Sequence, residues 1–252
     1  MRHAIVTGTS KGLGAAIAKH MLQQGVHVSG LARNQNNALN EVALHQQTTY
    51  QHFSCDLTDV KQIKQCFAKI ITNIFNKETD CVYLVNNAAT VQPINTVSKH
   101  HLDDVQAHMQ LNLLAPMHIT SLALKAAHKA NVKIVIVNIS SGAANRITYG
   151  WSAYGASKAG LNHFSETAAL EERELNSDNK IIIFDPSIMD TGMQGEIRST
   201  DEMAFQQVEQ FKQYQLEHKL RSADQVAKVL LKLLGDEDNL VSGQRYHIND
   251  YL

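Results

Sequence analysis

Seven short apolar runs divide this chain: His3–Thr7, Val26–Leu31, Tyr50–Ser54, Cys81–Val85, Val132–Ile139, Ile181–Phe184 and Arg245–Ile248. Every run but the last is followed by a stretch long enough for a crossover helix. Strands connected in that way run parallel, because parallel neighbours cannot be joined by a tight turn. A parallel sheet in turn needs helices over both of its faces. The spacing therefore predicts a three-layer α/β/α fold around a doubly wound parallel sheet of about seven strands. Residues 1–252 show no linker, repeat or low-complexity tract and are expected to form a single domain.

Ligands on such sheets bind beyond the carboxyl ends of the strands, so the residues that follow each run matter most. The first run leads into Thr7-Gly8-Thr9-Ser10-Lys11-Gly12-Leu13-Gly14 and then a helical Ala15-Ala16-Ile17-Ala18. Glycines at 8, 12 and 14 allow a tight turn and a close approach to a pyrophosphate at a helix N-terminus. Lys11 precedes the second glycine, so the stretch is not a P-loop; a tight turn with no ligand is the plain alternative. After the second run stand Ala32 and Arg33, where an acidic residue would favour NAD. Arg33 with Lys11 suits a 2′-phosphate, which favours NADPH, unless both are merely solvated charges. Asp56, after the third run, is placed to accept from an adenine amino group, and Asp59 to cap the next helix. The fourth run ends in Asn86-Asn87-Ala88-Ala89, amides that can tie strands together and leave room for a ribose. Pro186 and Thr191, after the sixth, suit a loop closing over a cofactor, with Thr191 offering its hydroxyl to a nicotinamide amide.

The stretch Asn138–Lys158 carries the chemistry. A strand delivers Ser140 and Ser141 to its end, and a helix then presents Tyr154 and Lys158, four residues apart on one face. A neighbouring ammonium favours phenolate and should draw the Tyr154 proton affinity toward neutrality, as proton transfer to a carbonyl oxygen would use. Between His101 and His128 a helix is apolar on nearly every side, so one face should meet the sheet and the other a second subunit. Within it, Pro116 has no N–H for the carbonyl of Asn112, which leaves that carbonyl free to hold a water. Residues 190–221 read as a substrate lid, with Met193, Ile197, Met203 and Phe205 on its apolar sides; a plain surface excursion is the alternative. Trp151, Met189 and Met193 are expected in an apolar substrate pocket.

Composition removes several classes. The net charge of −1 gives no footprint for nucleic acid or an anionic membrane, and no apolar run is long enough to span a bilayer. Cys55, Cys66 and Cys81 form no CxxC pair and read as reduced thiols of a cytoplasmic protein. His100, His101 and His108 lack partners at metal spacing and read as surface histidines, so no metal is expected. Asn138-Ile139-Ser140 has the form of a glycosylation sequon but stands at a strand end.

Taken together, Thr7-Gly8-xxx-Gly12-x-Gly14, Asp56, Asn86-Asn87-Ala88, Asn112, Ser141, Tyr154-xxx-Lys158 and Pro186…Thr191 resemble the short-chain dehydrogenase/reductase family, whose fold is Rossmann-type. Ser140-Ser141-Gly142-Ala143-Ala144, Gly150–Tyr154 and Met189–Gln194 are most similar to its sepiapterin reductase-like branch and the bacterial benzil reductases there. The resemblance implies an NADPH-dependent carbonyl reductase acting on a ketone or diketone. It implies Tyr154 as proton donor, Ser141 orienting the carbonyl, and Lys158 and Asn112 completing the catalytic set. It further implies that Gly8, Ser10, Lys11, Gly12, Leu13, Gly14, Arg33, Asp56, Leu57, Asn87, Ala88, Tyr154, Lys158, Pro186, Ile188 and Thr191 bind NADPH/NADP+, in a homodimer or a tetramer. Two departures stand out: Ser187 and Ala89 occupy places where the family usually has glycine. His247 falls near the place of the branch's pterin-anchoring Asp, with Asp250 three residues on. Hydroxysteroid, pterin or 3-oxoacyl substrates remain alternatives, as does a non-catalytic NADPH-sensing regulator.

Overall fold

The computed structural model describes residues 1–251. Seven parallel strands, β1 (Arg2–Thr7), β2 (His27–Ala32), β3 (Tyr50–Ser54), β4 (Cys81–Asn86), β5 (Lys133–Ile139), β6 (Lys180–Asp185) and β7 (Arg245–His247), form one sheet in the order β3-β2-β1-β4-β5-β6-β7. The order reverses beside β1, and the open ends of β1 and β4 there flank the crevice predicted from the spacing. Each apolar run forms a strand to within a residue or two of its expected bounds.

Helices α1 (Gly12–Gln23), α2 (Asn37–His45) and α9 (Ala223–Leu234) belong to one core with Val6, Val85 and Phe184. Helices α3 (Val60–Ile74) and α5 (Ala115–Ala130), together with Ala168 and Ala169 of α6 (Ser152–Glu174), pack in a second core around Ile5, Leu84 and Ile136. Alternate residues of each strand thus feed opposite layers, as the period of two requires. Asp59 caps α3 by accepting from the N–H groups of Lys61 and Gln62, and Ser222 caps α9 in a capping box with Gln225.

Two polar features interrupt the hydrocarbon. Asn86 and Asn138 face each other as register partners on β4 and β5. Asn86 Nδ2 donates to Asn138 Oδ1 at 2.8 Å and to Thr120 Oγ1 of α5, while Asn138 Nδ2 donates to Ser165 Oγ of α6. At the opposite end of the sheet, Glu237 accepts from Tyr83 and Lys133. Asn138, wholly buried, is no glycosylation acceptor.

The long helix of residues 101–128 is less regular than its sequence suggests. A first segment, α4 (Leu102–Met109), passes into a π-turn at Gln110–Leu114 before α5 begins. There the N–H of Ala115 reaches five residues back, to the Gln110 carbonyl. Pro116 cannot donate to Asn112, and widening the turn accommodates that missing bond. Leu114 is 40% exposed, whereas Leu111, Leu122 and Leu124 pack against the second core.

Candidate active site

The strand ends of β1–β6 open into a cleft of about 890 Å³. At one side of it the turn after β1 enters α1. Gly8 has φ +77°, and a Cβ on Gly14 would stand 2.4 Å from the Gly8 carbonyl oxygen and 2.5 Å from Asn87 Nδ2. Only glycine permits that approach. Asn87 closes the turn from β4, donating its backbone N–H to Thr7 Oγ1 and its amide to the Thr7 carbonyl. Gly8, Ser10, Lys11, Gly12, Leu13, Arg33, Asp56, Leu57, Asn87 and Ala88 all line the cleft. Gly14 does not; it serves by letting the turn close. Arg33 is exposed at the cleft's edge, and the Lys11 ammonium lies 3.4 Å from where a Cβ on Gly192, the first residue of α7 (Gly192–Arg198), would stand. Asp56 Oδ1 accepts from the N–H and hydroxyl of Thr58, which fixes the carboxylate at the cleft wall.

At the other side stand Ser141, Tyr154 and Lys158. Strand β5 ends at Ile139, and the backbone turns so that the two serines part. Ser140 Oγ donates to Asn162 Oδ1 and is buried; Ser141 Oγ accepts from the Ala143 N–H and hydrogen-bonds Tyr154. Lys158 donates to the Ile139 carbonyl at 2.8 Å and lies 5.9 Å from the centroid of the Tyr154 ring.

The electrostatics differ from the expectation of a phenol drawn toward neutrality. Burial pushes the Tyr154 hydroxyl up to about 12, with the Ser141 hydrogen bond acting the other way. Burial also brings the Lys158 ammonium down to about 8, against the opposing charge of Asp185. Desolvation outweighs the mutual help of the two groups. Tyr154, like an unperturbed phenol, is therefore protonated at neutral pH.

Asn112 lies behind this row rather than in the cleft wall. Its Oδ1 accepts from the Thr90 N–H and its Nδ2 donates to the Thr90 carbonyl, and Nδ2 also meets His108 Nε2 at 3.1 Å. The side chain is fully occupied; what Pro116 leaves without its helical donor is the Asn112 backbone carbonyl. His108 corrects the reading of surface histidines, being 1% exposed. It was overlooked although it stands one turn before Asn112 on the same helical face, a spacing that could have found it.

The apolar part of the cleft is more aromatic than the sequence suggested. Trp151 stacks on Phe205 at 4.9 Å and meets Tyr154 and Phe211 edge-on at 5.4 and 5.5 Å. Met189, Met193, Ile188, Pro186 and Thr191 line the cleft as expected, joined by Phe211 and Tyr214 of α8 (Val208–Leu216). Residues 190–221 thus lie over the cleft, but Met203 points outward and is exposed rather than on the apolar side. Trp151 Nε1 and Gln194 Nε2 are buried donors without a protein acceptor. His247 and Asp250 do not line the cleft; His247 Nδ1 accepts from the Asn249 N–H instead. Among the described residues no cluster of three or more His, Cys, Asp or Glu could hold a metal, and no helix is long and apolar enough to cross a membrane.

Comparison with known proteins fits this geometry. Residues 2–202 match the family model described as short chain dehydrogenase. The chain is 37% identical to a benzil reductase ((S)-benzoin forming) of Bacillus cereus, over 94% of this chain and 96% of that protein. With the enzyme of the same description from Bacillus subtilis it shares 38% identity over 98% of both. The crystal structure of a short chain dehydrogenase/reductase from Saccharomyces cerevisiae superposes over the full length of both chains, with a TM-score of 0.83 at 28% identity.

Proposed function

The chain belongs to the short-chain dehydrogenase family and is an oxidoreductase of the carbonyl reductase type, and on that premise we propose that it is an NADPH-dependent reductase of aromatic ketones and diketones. The observation that carries the reading is the Ser141–Tyr154–Lys158 row, which opens onto the same cleft as the glycine turn.

The residues present fit a nicotinamide dinucleotide. Gly8 and Gly14 let the turn close against Asn87 where a Cβ would collide, so that Ser10, Lys11, Gly12 and Leu13 line the cleft. Arg33, with no acidic neighbour at the end of β2, is the residue that would hold a 2′-phosphate. Lys11, Asp56 and Thr191 would hold the pyrophosphate, adenine and nicotinamide amide. When bound, the reduced cofactor supplies the hydride. The protein's own part is to orient the ketone, exclude water and deliver a proton. Ser141 Oγ donates to the carbonyl oxygen, and Tyr154, protonated at neutral pH, gives up its hydroxyl proton as charge develops there. Lys158, as an ammonium, stabilises the resulting phenolate, hands it a proton, and is itself reprotonated from water held at the Asn112 carbonyl. General acid help of this kind is worth about 10²–10⁴-fold.

Trp151, Phe211, Tyr214 and Met193 form a wall suited to an aryl group, and residues 190–221 act as the lid that closes on it. The unpartnered donors of Trp151 and Gln194 suit a substrate with a second oxygen. The three unpaired cysteines accord with a reducing cytoplasm, and the exposed Leu114 on the helix of residues 101–128 with a homodimer. The test is to follow loss of reduced-cofactor absorbance with NADPH or NADH against a panel holding benzil, aryl alkyl ketones, 3-oxoacyl thioesters, steroids and pterins. Benzil turnover with NADPH is expected; binding of NADPH without turnover of any carbonyl would sink the reading.

A further inference from the structure

We propose that His108 is a positioning residue of the proton relay, holding as a neutral ring the Asn112 amide on one side and the Lys158-bearing turn of α6 on the other. For its kinetic consequences this rests on the reductase reading above.

The ring has one arrangement that satisfies its neighbours. Nδ1 lies 2.5 Å from the Gln92 carbonyl, which can only accept, so Nδ1 carries the proton. Nε2 is then a lone pair, and it faces Asn112 Nδ2 at 3.1 Å and Ser157 Oγ at 3.0 Å. Ser157, whose one hydroxyl proton goes either to Nε2 or to the Tyr154 carbonyl at 2.9 Å, directly precedes Lys158. A single imidazole thus joins the loop after β4, the π-turn and the first turns of α6. With Thr90 holding its two ends, the remaining Asn112 N–H goes to His108 Nε2 at 3.1 Å, the nearer of two acceptors, Ser157 Oγ lying at 3.4 Å. If the amide swings, its two-point hold on the Thr90 backbone is lost.

The same geometry makes the relay sensitive to acid. A second proton on His108 would turn Nε2 into a donor against the Asn112 N–H. The charged groups facing the ring are Lys158 on α6 and His100 on the loop before α4, with Tyr154 edge-on at 6.1 Å. Burial first, then Lys158 and His100, hold the ring neutral, while the Gln92 and Ala153 carbonyls oppose them. Protonation therefore belongs below the ordinary value of 6.5.

The experiment compares wild type, His108→Gln and His108→Leu. Leucine removes the acceptor and should cut kcat on the order of 10–100-fold, with little change in KM for NADPH. Glutamine offers Oε1 to Asn112 and cannot titrate. It should restore most of the lost kcat and lack the acid limb expected of wild type, where burial lowers the His108 value. An acid limb unchanged in the glutamine variant, or a leucine variant with wild-type kcat, would overturn the proposal. If wild type itself turns over no carbonyl, the reductase reading fails and two readouts still decide the positioning role. Ring nitrogen chemical shifts should show the neutral Nδ1–H form at neutral pH, and amide exchange at Thr90 should quicken in the leucine variant and stay near wild type in the glutamine variant. A charged ring, the other tautomer, or unchanged Thr90 protection in the leucine variant would refute it; if leucine does not fold, the tautomer and the glutamine variant carry the test.

Discussion

Tyr154 and Lys158 share one buried corner of the cleft, and it moves their proton affinities apart: the phenol rises to about 12 and the ammonium falls to about 8. The ammonium is charged below its value and neutral above it. Reduction that needs both the protonated phenol and the charged lysine should therefore hold through neutrality. It should decline as pH rises past about 8, where Lys158 loses its proton. Initial rates at subsaturating ketone report on the free enzyme; a flat profile through that range would contradict the pairing.

Replacing Tyr154 by Phe removes the donor and keeps the ring that packs on Trp151. Turnover should fall by about 10²–10⁴-fold while the dissociation constant for NADPH, measured by fluorescence titration, stays nearly the same. Substantial residual turnover would transfer the proton to another group.

Arg33 stands exposed at the end of β2 on the edge of the cleft. A charge-assisted bond to a 2′-phosphate is worth about 1.5–3 kcal/mol, so Arg33→Ala should raise KM for NADPH on the order of tenfold or more. KM for NADH should scarcely move. Equal effects on the two cofactors would show that Arg33 does not read the phosphate.

Ser187 keeps the left-handed backbone of the glycine it replaces, with φ +58°. An L-residue in that region costs about 1–2 kcal/mol relative to a right-handed conformation, although glycine also gives the unfolded chain more freedom. Ser187→Gly should leave the loop geometry intact and raise stability by up to about 1 kcal/mol, read from the denaturation midpoint. A lower midpoint would mean that the serine contributes contacts beyond its backbone.

Phe205 is fully buried beneath Trp151. Truncating it to Ala should cost about 3–5 kcal/mol and raise KM for aryl ketones by loosening Trp151. A variant with normal thermal unfolding and normal KM would dissociate the aromatic stack from substrate binding.

What the sequence made legible was local. The strand runs, the glycine turn, the Asp59 cap and the helical spacing of Tyr154 and Lys158 are all written within a few residues of each other. Ser140 and Ser141 part because adjacent residues at a strand end point apart, the first toward Asn162 and the second toward Tyr154. The parts missed depend on distant segments meeting. His108 acquires meaning only against Gln92 and Ser157, and Phe205 and Phe211 only against Trp151. Lys11 and Arg33 both line the cleft, and the nearness of Lys11 to Gly192 at the start of α7 depends on a segment distant in the sequence. The proton affinity of Tyr154 was misjudged for a related reason: the sequence displays the neighbouring charge but not the depth of burial.

The amide rung between Asn86 and Asn138 has a consequence for how the sheet is assembled. Each of these residues is followed within three positions by cleft-lining groups, Asn87 and Ala88 on one strand and Ser140 and Ser141 on the other. If β5 slipped by two residues along β4, an amide would face Leu84 or Ile136 in place of its partner. Such a mispairing preserves which face each side chain takes, so hydrophobic patterning alone would not oppose it. The buried amide left without a partner would, at roughly 1–3 kcal/mol. The rung therefore acts as a proofreading device during folding, discriminating against sheets that look hydrophobically correct but set the two halves of the cleft out of step.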